Sequence, residues 1–401
     1  MNYKPYTSPS KRPANIRRPS IKRPAADEWQ PLKLNKVIAF IALVFVLLGL
    51  IFTYSSSTFE STAYFKRQLI FDLIGIGAAL FLSQTFDRLI KMKFLQPHYL
   101  IGYTWILLIV VLVFSREQAN VHRWIDLKIF KLQPSEIAKM TLVIYIADYL
   151  ESYAGKLANN YKLLIKPILI AGITMGLILL EKDFGTPTLM GGVFGIMLIV
   201  AGARLKHLCV PVLALLPLAI HQLFFVGYRR SRIFSFLNPF ASEGSTGYQL
   251  VQSFLAVGSG GWFGKGLGNS ELKLQYLPAA HTDFIFSVMC EEIGMFVLLI
   301  VGGFCWLLIC GISLAKLAKT YFRALVILGL TSTICLQAFF NMAMAIGLLP
   351  TKGIALPFFS YGGSSVIMTL AMIGIILNMA AIDSAPTPRR HDITTYKQRR
   401  I

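Results

Sequence analysis

The sequence predicts an all-α polytopic integral membrane protein. It would have ten transmembrane helices, both termini in the cytoplasm, and a large extracytoplasmic loop between helices 7 and 8. Three observations carry this. Of 401 residues, 55% are hydrophobic and only 14% charged, where soluble domains carry about a quarter charged. Apolar runs recur, as at 37–54 and 101–115, each long enough, or nearly so, to cross about 30 Å of hydrocarbon as a helix. Finally, with the N-terminus inside, the cytoplasmic segments hold 25 of the 39 Lys and Arg residues, which is the positive-inside pattern.

Residues 1–36 come first. They are rich in Pro and Arg, cannot bury a core, and read as a disordered basic cytoplasmic tail. Such a tail suits contact with the membrane surface or recruitment of a cytoplasmic partner. No small-residue cleavage site follows a short apolar core, so the first span is not read as a signal peptide. The membrane domain, 37–381, holds spans at 37–54, 69–86, 99–115, 134–152, 164–180, 185–203, 208–226, 283–310, 324–345 and 364–381. Only "EKDFG" separates the fifth from the sixth. A second cytoplasmic tail, 382–401, closes the chain.

The net charge of +20 follows from topology and contact with anionic lipid. The basic residues are scattered over loops and tails, whereas nucleic-acid binding would gather them on one folded face. Five cysteines show no metal-ligand spacing, and those in or beside spans read as small hydrophobes.

With this topology three polar segments share the outer side: 116–133, the loop 227–282, and 346–363. The long loop opens with Arg229, Arg230 and Arg232, against the positive-inside trend. Anchoring to lipid phosphates is one reading. The other is an anion site, such as a pyrophosphate held by guanidinium forks. The later "GSGGWFGKGLGNS" lacks the strand-then-helix context and Lys-Ser/Thr ending of a nucleotide loop. Its glycines instead permit tight turns at a cavity mouth or close backbone approach to a ligand. Pro350, Pro357, Gly362 and Gly363 interrupt apolar sequence. A kinked or re-entrant segment before the last span is expected, because broken backbone at membrane depth must line a cavity or be buried.

Asp283, in "YLPAAHTDFIF", opens the eighth span. In the first turn of a helix beginning near Thr282 it would be favoured by exposed amides, and capping alone could account for it. His281, Lys265, Lys273 and the loop arginines give it company that suggests more. Glu291 and Glu292 lie further along, Glu291 about 12 Å deeper and about 80° round the axis. A carboxylate facing lipid is costly, so the two are expected to join Glu136 and Lys139 of the fourth span in a buried structural charge network. Asp183, in "EKDFG", reads as a second exposed acid that could line the same opening.

Four stretches, "HRWIDL…QPSEIAKM", "GYQLVQSFLAVGSGGWFGKGLG", "LPAAHTDFIFSVMCEEIG" and "GLLPTKGIALPFFSYGGSS", resemble the signatures of the SEDS family (shape, elongation, division and sporulation). "GNSELKLQYLP" and "GLLPTKG" resemble its cell-division branch more than its elongation branch. The resemblance runs from about residue 37 onward and leaves the basic tail outside. It implies a peptidoglycan glycosyltransferase that polymerises lipid II at the outer face of the bacterial inner membrane, at the division septum. The family's essential loop aspartate matches Asp283. Asp283 would act as general base on the acceptor GlcNAc 4-hydroxyl in one inverting displacement that releases undecaprenyl pyrophosphate. The departing pyrophosphate needs cations, and Arg229, Arg230, Arg232, Lys265 and Lys352 are the candidates. His281 would position substrate, and Arg123 with Trp124, similar to the family's "RW", would order the outer loop or touch substrate. No protein-only metal site is legible. The chemistry admits a divalent cation, Mg or Mn, held by pyrophosphate with Asp283. Two departures stand out: Ala279 replaces the usual acid of the "HTD" motif, and "ANVH" precedes the tryptophan where "NGA" is usual.

The family resemblance implies lipid II and a single-span class B penicillin-binding protein (FtsI-like) as partners, with divisome regulators. Two rival functions remain at this stage, a lipid II flippase and a non-catalytic divisome scaffold. A flippase needs a hydrophilic track through the bilayer, whereas these motifs cluster on one face. A scaffold would tolerate loss of Asp283. An ion-coupled transporter would show paired repeats with broken helices, and none is evident.

Overall fold

The computed structural model describes residues 31–57, 62–114, 123–126, 131–157, 160–204, 206–207, 234–242, 247–270, 282–351 and 353–384. The long apolar runs form helices α1 (Pro31–Ser57), α2 (Thr62–Leu89), α3 (Pro97–Phe114), α4 (Pro134–Ser152), α5 (Lys162–Leu180) and α6 (Gly185–Val200). Then follow α7 (Tyr248–Ser259), α8 (Ile285–Ile293), α9 (Val297–Leu317), α10 (Tyr321–Ala345) and α11 (Gly363–Ser384). Between α3 and α4 a short antiparallel hairpin pairs β1 (Ile125–Asp126) with β2 (Lys131–Leu132), Ile125 opposite Leu132.

Seven helical stretches among the described residues are long and apolar enough to cross a membrane: α1, α2, α3, α5, α8 continued by α9, α10 and α11. The helix α6 is apolar but shorter. Helix α4 is buried over most of its length, including Glu136 and Lys139, which meet protein, while Asp148 and Glu151 near its end are exposed. The span expected at 208–226 and residues 1–30 and 385–401 lie outside the described residues.

Two boundaries differ from expectation. Helix α1 starts at Pro31, inside the segment assigned to the tail. Proline suits a first turn, where no amide partner is needed, and the exposed Lys33 and Lys36 can reach the interface on flexible stems. The eighth span is not one continuous helix. Gly294, at φ +57°, ends α8, and a single 3-10 turn (Gly294–Phe296) leads into α9.

Helix α10 is the axis of the fold, packing on α4, α6, α9 and α11. Its most apolar stretch is 78% buried, against 28–39% for α1, α2, α3 and α5. The outer helices therefore keep a lipid-facing side, with Phe40, Leu47, Ile106 and Leu169 exposed. The interior α10 can carry polar groups. Thr331, Ser332, Thr333, Gln337 and Asn341 are all buried on it, and their partners build the site.

Candidate active site

Between α10 and α11 the chain is non-helical over 346–351 and 353–362, the expected interruption. Its backbone is satisfied from within the protein, as the bilayer requires. From α10, Gln337 Nε2 donates to Ala355 O at 2.9 Å and Asn341 Nδ2 to Ile354 O at 2.7 Å. Ser360 Oγ accepts from Leu356 N at 2.7 Å and donates to Thr282 O at 2.6 Å. Phe358, at φ +70°, and Phe359 are buried against Phe45, with ring centroids 5.7 and 5.4 Å away. This broken segment thereby holds the backbone just before α8.

Asp283 lies in that backbone, half-buried in the turn 282–284. It does not sit in a helical first turn. Helix α8 begins at Ile285, its N-cap is Phe284, and its first turn holds no acidic residue. The acid thus stands just before the helix, at the same place relative to α8 that Asp183 holds relative to α6. Asn341 Nδ2 also donates to Asp283 O, at 2.7 Å. Gly353 borders the carboxylate: a Cβ there would lie 3.3 Å from Asp283 Oδ2 and 4.0 Å from Arg123 Nη1. Acid and guanidinium thus flank one residue that leaves the space between them open.

Arg123 comes from the strand side, just before β1. Its Nη2 donates to Lys182 O and its Nε to Glu181 O at 3.5 Å, so it staples the turn between α5 and α6. Lys182 holds φ +61° there. The hairpin is itself tied down, since Ser364 Oγ on α11 donates to Lys131 O and accepts from Gln133 N at 3.1 Å.

The turn's two acids differ from expectation. Asp183 is buried, not exposed. Its Oδ1 accepts from Gly185 N at 3.0 Å and Thr186 N at 3.3 Å, and its Oδ2 from Thr186 Oγ1 at 2.8 Å, so it caps α6. Glu181 is 0% exposed, and neither carboxyl oxygen has a hydrogen-bond partner among the described residues. Desolvation by burial, then the Asp183 charge, push its carboxyl up to about 8, against the pull of Arg123.

The charge network expected to join the fourth and eighth spans is instead two separate ones. In α4, Lys139 pairs with Glu136 at 2.8 Å and reaches across to Gln337 Oε1 at 2.5 Å. In α8, Glu291 Oε1 accepts from Lys265 Nζ at 2.9 Å and Glu291 Oε2 from Ser270 Oγ. Glu292 Oε1 accepts from Ser55 Oγ, which in turn accepts from Gly268 N at 3.1 Å. The glycine-rich segment supplies these donors because it lies directly on α8. A Cβ at Gly260 would come within 2.0 Å of Cys290 O, and one at Gly264 within 2.2 Å of Glu292 O. The close approach expected of these glycines is to helix backbone. Lys265, a pyrophosphate candidate on sequence, has its ammonium matched by Glu291.

Arg229, Arg230, Arg232, His281 and Lys352 lie outside the described residues. Of the site candidates within them, Asp283 and Arg123 come together. Sequence reasoning missed Asn341, Gln337, Ser360 and Glu181. Polar residues four apart in an apolar run, such as Gln337 and Asn341, were the one available signal.

The arrangement is that of a half-buried acid near a guanidinium, at the end of a buried helical core. A family model described as a cell cycle protein, covering FtsW, RodA and SpoVE, matches residues 35–384. The chain belongs to the FtsW/RodA/SpoVE family. Within it, the chain is 36% identical over 352 residues to the probable peptidoglycan glycosyltransferase FtsW of Geobacter metallireducens, covering 86% of this chain and 94% of that one. The Coxiella burnetii protein of the same name is 37% identical over 354 residues, covering 86% and 95%. Among solved structures, a chain from a peptidoglycan synthase complex that coordinates polymerization and crosslinking matches with TM-score 0.73 at 27% identity, over 87% of this chain and 98% of that one. The Thermus thermophilus rod shape determining protein RodA matches with TM-score 0.64 at 26% identity, over 87% and 97%. The described residues of this FtsW/RodA/SpoVE family member contain no group of three or more His, Cys, Asp or Glu that could hold a metal.

Proposed function

We propose that this chain is a peptidoglycan glycosyltransferase of the FtsW branch, polymerising lipid II into β-1,4 glycan strands for septal wall synthesis. The observation that carries the reading is Asp283, a half-buried acid bordered by Gly353 and Arg123. The GlcNAc 4-hydroxyl of the acceptor attacks the anomeric carbon of the donor MurNAc. Its proton passes to the Asp283 carboxylate, the new C–O bond forms with inversion, and the bond to pyrophosphate breaks with its electron pair. Undecaprenyl pyrophosphate leaves, its charge met by Arg123 together with Arg229, Arg230, Arg232 and Lys352. His281 positions substrate. Lys265 drops out of this set because Glu291 already matches its charge. A divalent cation, Mg or Mn, if bound, would be held with the help of Asp283 and would supply further positive charge for the leaving pyrophosphate.

The finer topology belongs to the same proposal: ten membrane helices, both termini in the cytoplasm, and 227–282 as the large outer loop. So do an inner-membrane location at the septum and a class B penicillin-binding protein as partner, with divisome regulators. The partner is supported by the likeness to a chain of a synthase complex concerned with polymerization and crosslinking. The flippase reading is disfavoured by the ties at membrane depth. Lys139 is matched by Glu136 and Gln337, and Glu291 by Lys265 and Ser270, an arrangement suited to structure rather than to a polar track.

The test is glycan-chain formation from labelled lipid II by the protein purified with its cognate class B partner. Asp283→Ala and Asp283→Asn, folded and retaining the partner, are expected to lose polymer by at least about 100-fold. Wild-type output from both variants would remove Asp283 from the mechanism. Polymer from no form, with a competent partner, would favour the flippase and scaffold alternatives.

A further inference from the structure

Asn341 is fully buried on α10, one helical turn beyond Gln337. Its single amide group donates at 2.7 Å to Asp283 O and at 2.7 Å to Ile354 O. Both amide hydrogens are therefore used, and they join two stretches of non-helical backbone far apart in sequence. No other uncharged side chain of that size offers two hydrogens from one atom. One of the two stretches carries the acid. The other carries Gly353, where a Cβ would lie within 4.0 Å of both Asp283 Oδ2 and Arg123 Nη1. Charge-neutral hydrogen bonds in a dry interior hold their geometry, since breaking either leaves a buried carbonyl without a donor.

We propose that Asn341 is a positioning residue for Asp283. It fastens the acid's backbone to the 353–356 segment and so sets where the carboxylate meets the reacting hydroxyl. The inference rests on the polymerase reading for its catalytic consequence, while the fastening itself can be measured without any reaction.

Asn341→Leu keeps nearly the same volume and removes both donors, and Asn341→Ala removes volume as well. Both would be purified in complex with the class B partner, beside wild type. Amide hydrogen exchange read by mass spectrometry is expected to accelerate together in 282–287 and 353–357, with the middle of α10 still protected. In polymerisation, kcat is expected to fall by about 10- to 100-fold, as for a misplaced catalytic group. KM for lipid II should move by less than about twofold, which separates positioning from lost binding. A general structural role would instead show in thermal stability. Unchanged exchange in both segments overturns the proposal, as does wild-type kcat in folded Asn341→Leu. If neither variant folds with the partner, Asn341 serves stability and the positioning role is overturned. If wild type makes no polymer, the polymerase reading fails alone, and the exchange result still decides whether Asn341 fastens Asp283.

Discussion

At the residue scale, Glu181 shows how burial rewrites an acid. On sequence it is one carboxylate of "EKDFG", next to a lysine and another acid. In the fold it is closed off from water, beside Asp183, with Arg123 bonded to its backbone carbonyl. Its carboxyl is raised from 4.5 to about 8, so it stays protonated at neutral pH. The sign follows from proton linkage. Between those two values the folded state holds a proton that the unfolded state has lost. The stabilisation is therefore complete below 4.5, declines as pH rises, and is gone above about 8. Glu181→Gln should remove this decline. Melting temperatures of wild type in detergent should fall from pH 5 to pH 8 relative to the variant, and parallel curves would refute the assignment. Asp283 stood out in the sequence as a candidate because an acid among basic and glycine-rich neighbours departs from the pattern around it. Glu181 was not, because its peculiarity is the absence of water, which only packing creates.

At the scale of elements, the glycine-rich segment and α8 form one unit. Lys265 N donates to Glu291 O at 2.9 Å and Gly266 N to Glu292 O at 3.0 Å, so the segment lends donors to the carbonyls at the end of a short helix. This satisfies groups that a helix C-terminus leaves open. Gly264 makes the contact possible: it sits at φ +76°, and any Cβ would strike Glu292 O. Gly264→Ala should destabilise by at least about 2 kcal/mol, through backbone strain together with overpacking. The loss would show in thermal unfolding of the purified complex, and a melting point within a degree of wild type would contradict it. From sequence these glycines were expected to make turns at a cavity mouth or to approach a ligand, whereas Gly260 and Gly264 approach helix backbone. The sequence could not name the approaching group, since residues 260–270 and 285–293 meet only through the tertiary fold. The same contact explains why Glu291 and Glu292 did not join Glu136 and Lys139. Donors from the glycine segment and Ser55 reach them first.

At the scale of the whole molecule, α10 links the interior of the helix packing to the turn that carries Asp283. Lys139 of α4 holds Gln337, Gln337 holds Ala355 O, and one turn on Asn341 holds Ile354 O and Asp283 O. Removing one member of the buried pair should be far worse than removing both. Lys139→Met alone leaves Glu136 buried without its cation and should cost about 3–5 kcal/mol, whereas Glu136→Leu with Lys139→Met should recover most of that loss. Equal instability of the single and double variants by thermal unfolding would show that the pair is not what matters there.

The helical membrane architecture and the family shared with FtsW and RodA followed from the sequence alone. Each rests on local chemistry: the length of an apolar run, the residue types within a short motif. The tertiary structure alone decided that α8 starts after Asp283 and breaks at Gly294, that Asp183 caps α6, that Lys265 answers to Glu291, and that Asn341 holds the acid. These are matters of which buried polar group finds which donor. A bilayer leaves such groups no water to turn to, so the partner is whatever the packing brings within about 3 Å.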